Sequence, residues 1–374
     1  MVRFAGIGGG TGLPMVLQGL RQLSERSVYA GRSAFGISAI VAVSDNGGSS
    51  GCLRQGFKIP AVGDLRNCLV ALSRRDCLLP DLFQYRFSRG DGLEGHSLGN
   101  LIMTALTQMA GSFAKAMELA SEVLCTEGYV LPATDTEVTL CADLESGERI
   151  RGEWQVTAAR SRIDRVWLEP LNPPAYTGVL QALKSADAII MGPGSLYTSI
   201  IPNLLVAGVS DAVRKSQALK IYVCNLVTQP GETDGFAAED HLSVLNTYLG
   251  SGVVDVCILN SQPIPQTLQD GYCQAGSEPV RWDERSIRRM GAIPMAADLL
   301  SDNHLTVRHD PDKLACLIQS LTQAAPYAHD ARSAQRDLRL DRMIPCAEVT
   351  TELISSRASI EELRRPGIIE ATSA

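Results

Sequence analysis

MVRFAGIGGGTG, residues 1–12, sets a short apolar strand, Val2 to Ala5, before four glycines in five positions: Gly6, Gly8, Gly9 and Gly10. Thr11 and Gly12 follow. Glycine at that density weakens regular structure, so a loop here must need bare main chain that can approach something closely. Directly behind it, Leu13, Val16, Leu17, Leu20 and Leu23 repeat at helical spacing, and Pro14 falls in the first turn, where its missing N–H does no harm. Strand, glycine loop and helix form the unit from which a parallel sheet covered on both faces is built.

The same alternation continues along the chain. ISAIVAVSD (37–45) reads as a second buried strand, and GDLRNCLVALS places Asp64 where a helix N-cap belongs. HSLGNLIMTALTQM predicts a helix whose apolar stripe is Leu98, Leu101, Ile102, Ala105, Leu106 and Met109. ADAIIMGPGS (186–195), LKIYVCNL (219–226) and VVDVCILN (253–260) repeat the strand theme. Residues 128–170 break it: TLCADLESGERIRGEWQV alternates around a Ser-Gly turn and reads as an antiparallel hairpin inserted in the α/β domain. The domain is expected to run over 1–329, with 330–374 a peripheral helical or partly disordered extension.

Composition narrows the function. Of 374 residues, 45% are apolar and 20% charged, enough for a sizeable core, and a net charge of −7 disfavours a broad nucleic-acid or anionic-membrane surface. No run approaches the roughly 20 apolar residues of a membrane span. The N-terminus has no basic region followed by an apolar one, so the chain is expected to be cytoplasmic. The ten cysteines include no C-x-x-C pair, and the five histidines form no H-E-x-x-H spacing, so buried thiols are expected rather than a structural transition metal.

Chemistry concentrates at the carboxyl ends of the strands, where open α/β sheets bind ligands. Four loops collect there: GIGGGTG, SDNGGSSG, GPGSLYTS and NLVTQPGETDG. Together they predict an anion-binding cleft made of main-chain amides and helix N-termini. The G-x-G-x-x-G dinucleotide fingerprint fails, because Thr11 stands at its third glycine and no acidic residue closes a strand about 20 residues on. A Walker loop fails too, since the first lysine is Lys58. Candidate ligand residues are Gly8, Gly9, Gly10, Thr11 and Gly12; Asp45, Gly48 and Ser49; Arg66, Asn67, His96 and Asn100; Gly192, Gly194 and Ser195; and Asn225, Thr228 and Asp234. Arg54 and Glu232 face the same cleft in this reading. Asp45 is also the candidate magnesium ligand, since magnesium takes one or two carboxylates plus phosphate oxygens. Asp45 and Asp64 are the candidate catalytic residues.

GGGTGLPMVLQGL, AIVAVSDNGGSSGCLR, VGDLRNCLVAL, GHSLGNLIMTAL, GPGSLYTSIIPNLLV, YVCNLVTQPGETDG and RHDPDKLA, in this order, resemble the gluconeogenesis-factor (YvcK-like) family of the CofD-like superfamily, from about Met1 to about Ser320. The resemblance implies a Rossmann-like three-layer α/β/α fold that binds a UDP-sugar such as UDP-N-acetylglucosamine. It also implies a regulatory part in cell shape and wall synthesis on gluconeogenic carbon sources. By the same resemblance Tyr272 and Arg308 contact the uridine and sugar, although Tyr272 taken alone reads as a surface turn residue. Protein partners of cell-wall regulation and self-association are both compatible with it; nucleic acid and membrane are not expected.

The superfamily's phospholactate transferases are the alternative, an enzyme that moves a phosphorylated group with magnesium. GPGSLYTS departs from the loop of that branch, and Leu13-Pro14 follows the glycine loop as in the regulatory branch. Where the family usually has a second aspartate and an arginine, this chain has Asn46 and Cys52, which weakens a metal site and leaves binding in place. The expectation leans to a binding protein.

Overall fold

A computed structural model describes residues 1–74, 78–302 and 306–324. The extension expected over 330–374 lies outside the described residues. The chain divides into two compact units, Met1–Cys316 and Leu317–Ala374, the second described only through Ala324.

Among the described residues, ten strands lie in the first unit: β1 (Arg3–Gly8), β2 (Gly36–Val41), β3 (Tyr129–Pro132), β4 (Thr139–Leu144), β5 (Arg149–Arg151), β6 (Ile163–Glu169), β7 (Ala188–Met191), β8 (Leu219–Val223), β9 (Val256–Asn260) and β10 (Ile293–Ala297). Seven form a parallel sheet in the order β10-β9-β8-β7-β1-β2-β3, the centre of a three-layer α/β fold. Its central strands are apolar on both faces, with Ile7, Ile40, Ile190 and Ile221 fully buried. The first strand runs on to Gly8 instead of ending at Ala5. Gly6 and Gly8 stay in register with Ala39 and Val41, and main-chain pairing on both sides outweighs the weak strand preference of glycine.

The first seven helices are α1 (Gly12–Tyr29), α2 (Gly48–Phe57), α3 (Gly63–Leu72), α4 (Leu79–Gln84), α5 (Leu98–Ala110), α6 (Phe113–Val123) and α7 (Glu153–Ala158). α1 buries Leu13, Val16, Leu17 and Leu20, as its spacing predicts. α5 does not follow its apolar stripe. Its buried residues are Gly99, Asn100, Met103 and Thr104, and Met109 is 80% exposed. The inner face of α5 is polar because it builds the wall of the site, described below.

The insertion is larger than a hairpin. β5-β4-β6 is a three-stranded antiparallel sheet, with Ser146 and Gly147 in the β4–β5 turn and α7 between β5 and β6. β3, expected inside the insertion, belongs to the main sheet as its parallel edge. Among the described residues, no single helix is long and apolar enough to cross a membrane.

Candidate functional site

Strand order reverses between β1 and β7, and in open α/β sheets the crevice at such a reversal receives the ligand. The loops after β1 and β7 meet there, main chain on main chain. A Cβ on Gly12 would sit 2.2 Å from the carbonyl oxygen of Pro193, so only glycine fits. Thr11 takes the N-cap position of α1 without a side-chain capping bond, so no capping side chain is bonded at the positive end of the helix dipole. Opposite, Asn225 clamps the Gly194 residue: Gly194 N donates to Asn225 Oδ1 at 3.0 Å, and Asn225 Nδ2 donates to Gly194 O at 3.0 Å.

Asp64 does not cap α3. The N-cap position belongs to Val62, and Asp64 Oδ2 instead accepts a 2.6 Å hydrogen bond from Gly10 N. One amide of the glycine loop is therefore held by its own chain. Burial pushes the Asp64 carboxyl up to about 6, against the pull of the Gly10 amide. From the same turn, Arg66 donates to Asn100 Oδ1 at 2.9 Å and to Asn67 Oδ1 at 2.7 Å, and Asn67 Nδ2 reaches Gly10 O at 3.3 Å. Asn100 Nδ2 donates to Ser49 Oγ at 3.1 Å, and Ser49 Oγ lies 3.0 Å from His96 Nδ1. Seven sequence candidates, Gly10, Ser49, Asp64, Arg66, Asn67, His96 and Asn100, thus form one connected wall. Burial, then the nearby Arg86, lowers the Arg66 guanidinium to about 10, and its buried Nε has no partner.

A second set of acids was not read as a group from the sequence. Asp45 Oδ1 accepts from Gly47 N at 2.8 Å at the end of the β2 loop. Against Asp45 lies Glu153, the first residue of α7, whose carboxyl is pushed up to about 8 by burial and then by Asp45 and Glu232. Glu232, 3% exposed, accepts from Thr198 at 3.0 Å and Thr157 at 3.3 Å through Oε1, and burial raises it to about 7. α7 is hooked to both sides of the mouth. Asn46 accepts from Trp154 N at 2.8 Å and donates to Gln155 Oε1 at 2.9 Å on the β2 side, while Thr157 meets Glu232 on the β8 side.

Other candidates are engaged locally. The Thr228 hydroxyl accepts from Glu278 N and Asp234 Oδ2 from Gly231 N. Ser195 Oγ accepts from Gln229 Nε2. Gly192 follows β7 at φ +78°, and Gly48 opens α2 at φ +46° with nothing near an added Cβ. Arg54 turns from the mouth to the carbonyls of Ser44 and Val138. Tyr272 lies on the helix Gln266–Gln274, half-buried, not in a surface turn. It packs against the buried cluster of Leu226, Ile264, Leu300 and Val307, and its hydroxyl accepts from Val307 N. Arg308 is exposed, its carbonyl accepting from Ser301 N. Beside Tyr272, at the ends of β8 and β9, a cavity of about 150 Å³ is lined by Asn225, Leu226, Asn260, Ile264 and Trp282 among others.

For magnesium the protein donors are thin. Among the described residues no group of three or more acidic, histidine or cysteine side chains is placed to hold a metal ion. Asp45 could supply one carboxylate oxygen, with phosphate oxygens of a ligand completing most of the shell.

The sequence pattern did not single out Glu153, Gln229 or Asn203, whose Nδ2 donates to Gly8 O at 3.2 Å. Glu153 lies 108 positions from Asp45, and only the return of the insertion to the mouth brings them together.

A parallel sheet with two glycine loops meeting at its reversal point and a polar wall beside them defines a three-layer α/β protein with a candidate ligand site at that mouth. The chain belongs to the CofD family: the family described as "2-phospho-L-lactate transferase CofD" matches residues 5–300. The gluconeogenesis factor of Bacillus subtilis is 42% identical over 319 residues, covering 85% of this chain and 98% of that one. That of Halalkalibacterium halodurans is 41% identical over 308 residues, covering 82% and 92%. A crystal structure of a Bacillus halodurans protein, 40% identical, matches the fold with a TM-score of 0.80 over 85% of this chain and 99% of that chain.

Proposed function

We propose that the protein is a cytoplasmic binder of a nucleotide-sugar of the UDP-N-acetylglucosamine type, acting as a gluconeogenesis factor in cell morphogenesis and wall synthesis through its bound state. The observation that carries this reading is the cradle at the β1/β7 reversal, where Gly12 is jammed against Pro193 and the first-turn amides of α1 stay uncapped. Such amides suit a diphosphate that no lysine neutralises. The cavity bounded by Asn225, Asn260 and Trp282 suits the nucleoside, with Tyr272 at its edge and Arg308 exposed near the same segment. Along the sheet edge, β9 to β2 is four strand spacings, roughly 19 Å, which leaves room for a nucleoside, a diphosphate and a further group in line.

The family description favours a second reading, a transferase that moves a phosphorylated group with magnesium. Asp45 would then hold the magnesium that neutralises the phosphate charge, with Asp64 helping to fix the glycine loop, and no covalent intermediate would form. One experiment separates the two. Purified protein is incubated with UDP-N-acetylglucosamine, and with a guanosine-diphosphate-linked phospholactate, magnesium and a flavin-like acceptor. A raised Tm with UDP-N-acetylglucosamine and intact ligand afterwards is expected. Release of GMP supports the transferase, and no thermal shift with any nucleotide overturns both.

A further inference from the structure

α5 is a helix of 13 residues without one charged side chain. Its buried residues, Gly99, Asn100, Met103 and Thr104, belong to the side that builds the polar wall, and α2, α3, α4 and α6 pack on it. The opposite side holds Leu98, Leu101, Ile102, Ala105, Leu106 and Met109. None of the six is buried, Ala105 is exposed and Met109 is 80% exposed. The apolar face continues past the start of the helix: the carbonyl of Tyr85, a residue 51% exposed, accepts from Leu98 N at 2.8 Å, and Leu82 on α4 is also exposed. Charge begins at the margins, with Lys115, Glu118 and Glu122 on the outer side of α6 and Arg86, Asp91 and Glu94 in the segment before α5. An uncharged apolar centre inside a charged rim is the anatomy of a protein–protein interface, and contiguous exposed apolar surface marks one.

We infer that the outer face of α5 is a two-fold interface on which this chain pairs with a second copy of itself, α5 lying antiparallel to α5. Ala105, the smallest side chain of the stripe, lies near its middle, with Leu101 and Ile102 before it and Leu106 and Met109 after it. A two-fold axis there lets the helices approach at Ala105 and sets large apolar side chains against large ones. Such a self-complementary contact needs no charge from α5, which has none to offer. It also lays the positive start of each α5 over the negative end of the other. α6 adds charge complementarity. It returns beside α5 after a link of residues 111 and 112, so the same axis runs α6 antiparallel to its copy. Lys115, near the start of α6, then faces Glu122 of the second copy, near its end, and the pair occurs twice. Parallel pairing would set lysine against lysine. The area suffices as well: α5 is about 20 Å long, and α4 and α6 at roughly 9 Å from its axis widen the face to about 25 Å, with side-chain relief bringing the accessible area to the order of the ~800 Å² that each partner gives to a standard interface. A membrane fits less well, because interfacial helices carry Lys and Arg on their polar face and α5 has neither. The inference is independent of what the mouth binds, although the second copy would back the helix that brings Asn100 to the polar wall.

The test is sedimentation equilibrium of the full chain over a range of concentrations. The wild type is expected at twice its chain mass of 40.1 kDa above about 50 µM, since interfaces of this size hold with a micromolar or tighter Kd. A105E and M109E each put a carboxylate into the apolar centre and should weaken the dimer at least about a hundredfold. Both positions are exposed in the single chain, so both variants should keep the wild-type far-UV circular dichroism spectrum. Y29E, at the 91% exposed end of α1, should leave the dimer Kd within about twofold. K115E turns two attractions into two repulsions and should weaken the dimer by about threefold to tenfold, and adding E122K should bring Kd back to within about twofold of the wild type. A wild type that stays a single chain throughout the range overturns the inference, and leaves the face to a different protein or to a segment of this chain beyond Ala324. A dimer that survives A105E and M109E unchanged overturns it by placing the contact elsewhere. A double charge swap that does not restore the dimer overturns it too, because α5 antiparallel to α5 requires that pairing.

Discussion

Asp64 Oδ2 holds the amide of Gly10 at 2.6 Å, so the glycine loop after β1 is fastened to the first turn of α3. The carboxyl, raised to about 6 chiefly by burial, is costly to keep ionised at neutral pH, and the amide beside it is costly to leave unpaired. The two consequences separate on substitution. Asp64→Ala should lose about 1–3 kcal/mol, because Gly10 N loses its acceptor. Asp64→Asn keeps an acceptor without the charge and should be at least as stable as the wild type at pH 7.5. Urea denaturation of the three proteins in one buffer reads the order directly.

Gly12 marks the tightest approach in the mouth, and here the physics is steric. An added Cβ meets backbone, the Pro193 carbonyl oxygen at 2.2 Å and its carbon at 2.5 Å, and backbone does not rotate aside as a side-chain end does. Gly12→Ala should therefore push the β1 and β7 loops apart, destabilising the fold by about 1–3 kcal/mol or more. Its Tm and any thermal shift with UDP-N-acetylglucosamine should fall together. A variant with wild-type Tm and wild-type shift would mean that the loops do not touch as described.

Asn225 works through both halves of its amide. Gly194 N gives a proton to Oδ1, and Nδ2 gives one to Gly194 O. Asn225→Asp keeps the first bond and turns the second into a carboxylate facing a carbonyl. The expected loss is about 1–3 kcal/mol in urea, with weaker nucleotide binding since the same residue lines the β8–β9 cavity. Asn225→Ala should cost stability by a similar amount without adding repulsion to an anionic ligand, so the Asp variant should bind more weakly than the Ala variant.

The cradle was legible in the sequence because close main-chain approach leaves a compositional trace: a bulky residue at Gly12 has nowhere to go, so the glycines themselves announce the contact. The parallel strands were legible for a similar reason, since burial on both faces demands unbroken apolar runs such as Ile189–Ile190 and Ile221–Tyr222. α5 shows where this logic stops. Its apolar stripe is regular, yet the buried face carries Asn100 and Thr104, because Asn100 is satisfied by Arg66 and Ser49 and Thr104 by the Asn100 carbonyl. Periodicity ranks residues by hydrophobicity and does not register hydrogen bonds supplied by another helix. Glu153 escaped for a topological reason. Nothing local distinguishes it from any acid at a helix start, and its meaning comes from Asp45 and Glu232, which two different strand ends bring to it. Asn46 is the subtler case: read as a lost charge, it is the residue that ties α7 to the β2 loop through an acceptor and a donor.

Glu232 offers a test in which pH gives the sign. Its carboxyl is raised from the ordinary 4.5 to about 7, first by burial, while the unfolded chain titrates near the ordinary value. Below pH 4.5 both states hold the proton and no penalty exists. Between 4.5 and 7 the unfolded chain releases a proton that the folded one keeps, so stability falls as pH rises, and above 7 the whole penalty is present. Glutamine has no proton to lose, and its Oε1 still accepts from Thr157 and Thr198. Glu232→Gln should therefore gain roughly 1–3 kcal/mol on the wild type at pH 8 and little or nothing at pH 4.5. Urea titrations at the two pH values measure the difference. An equal effect at both would mean that the carboxyl titrates normally in the fold, and that its unpaired oxygen is solvated rather than buried.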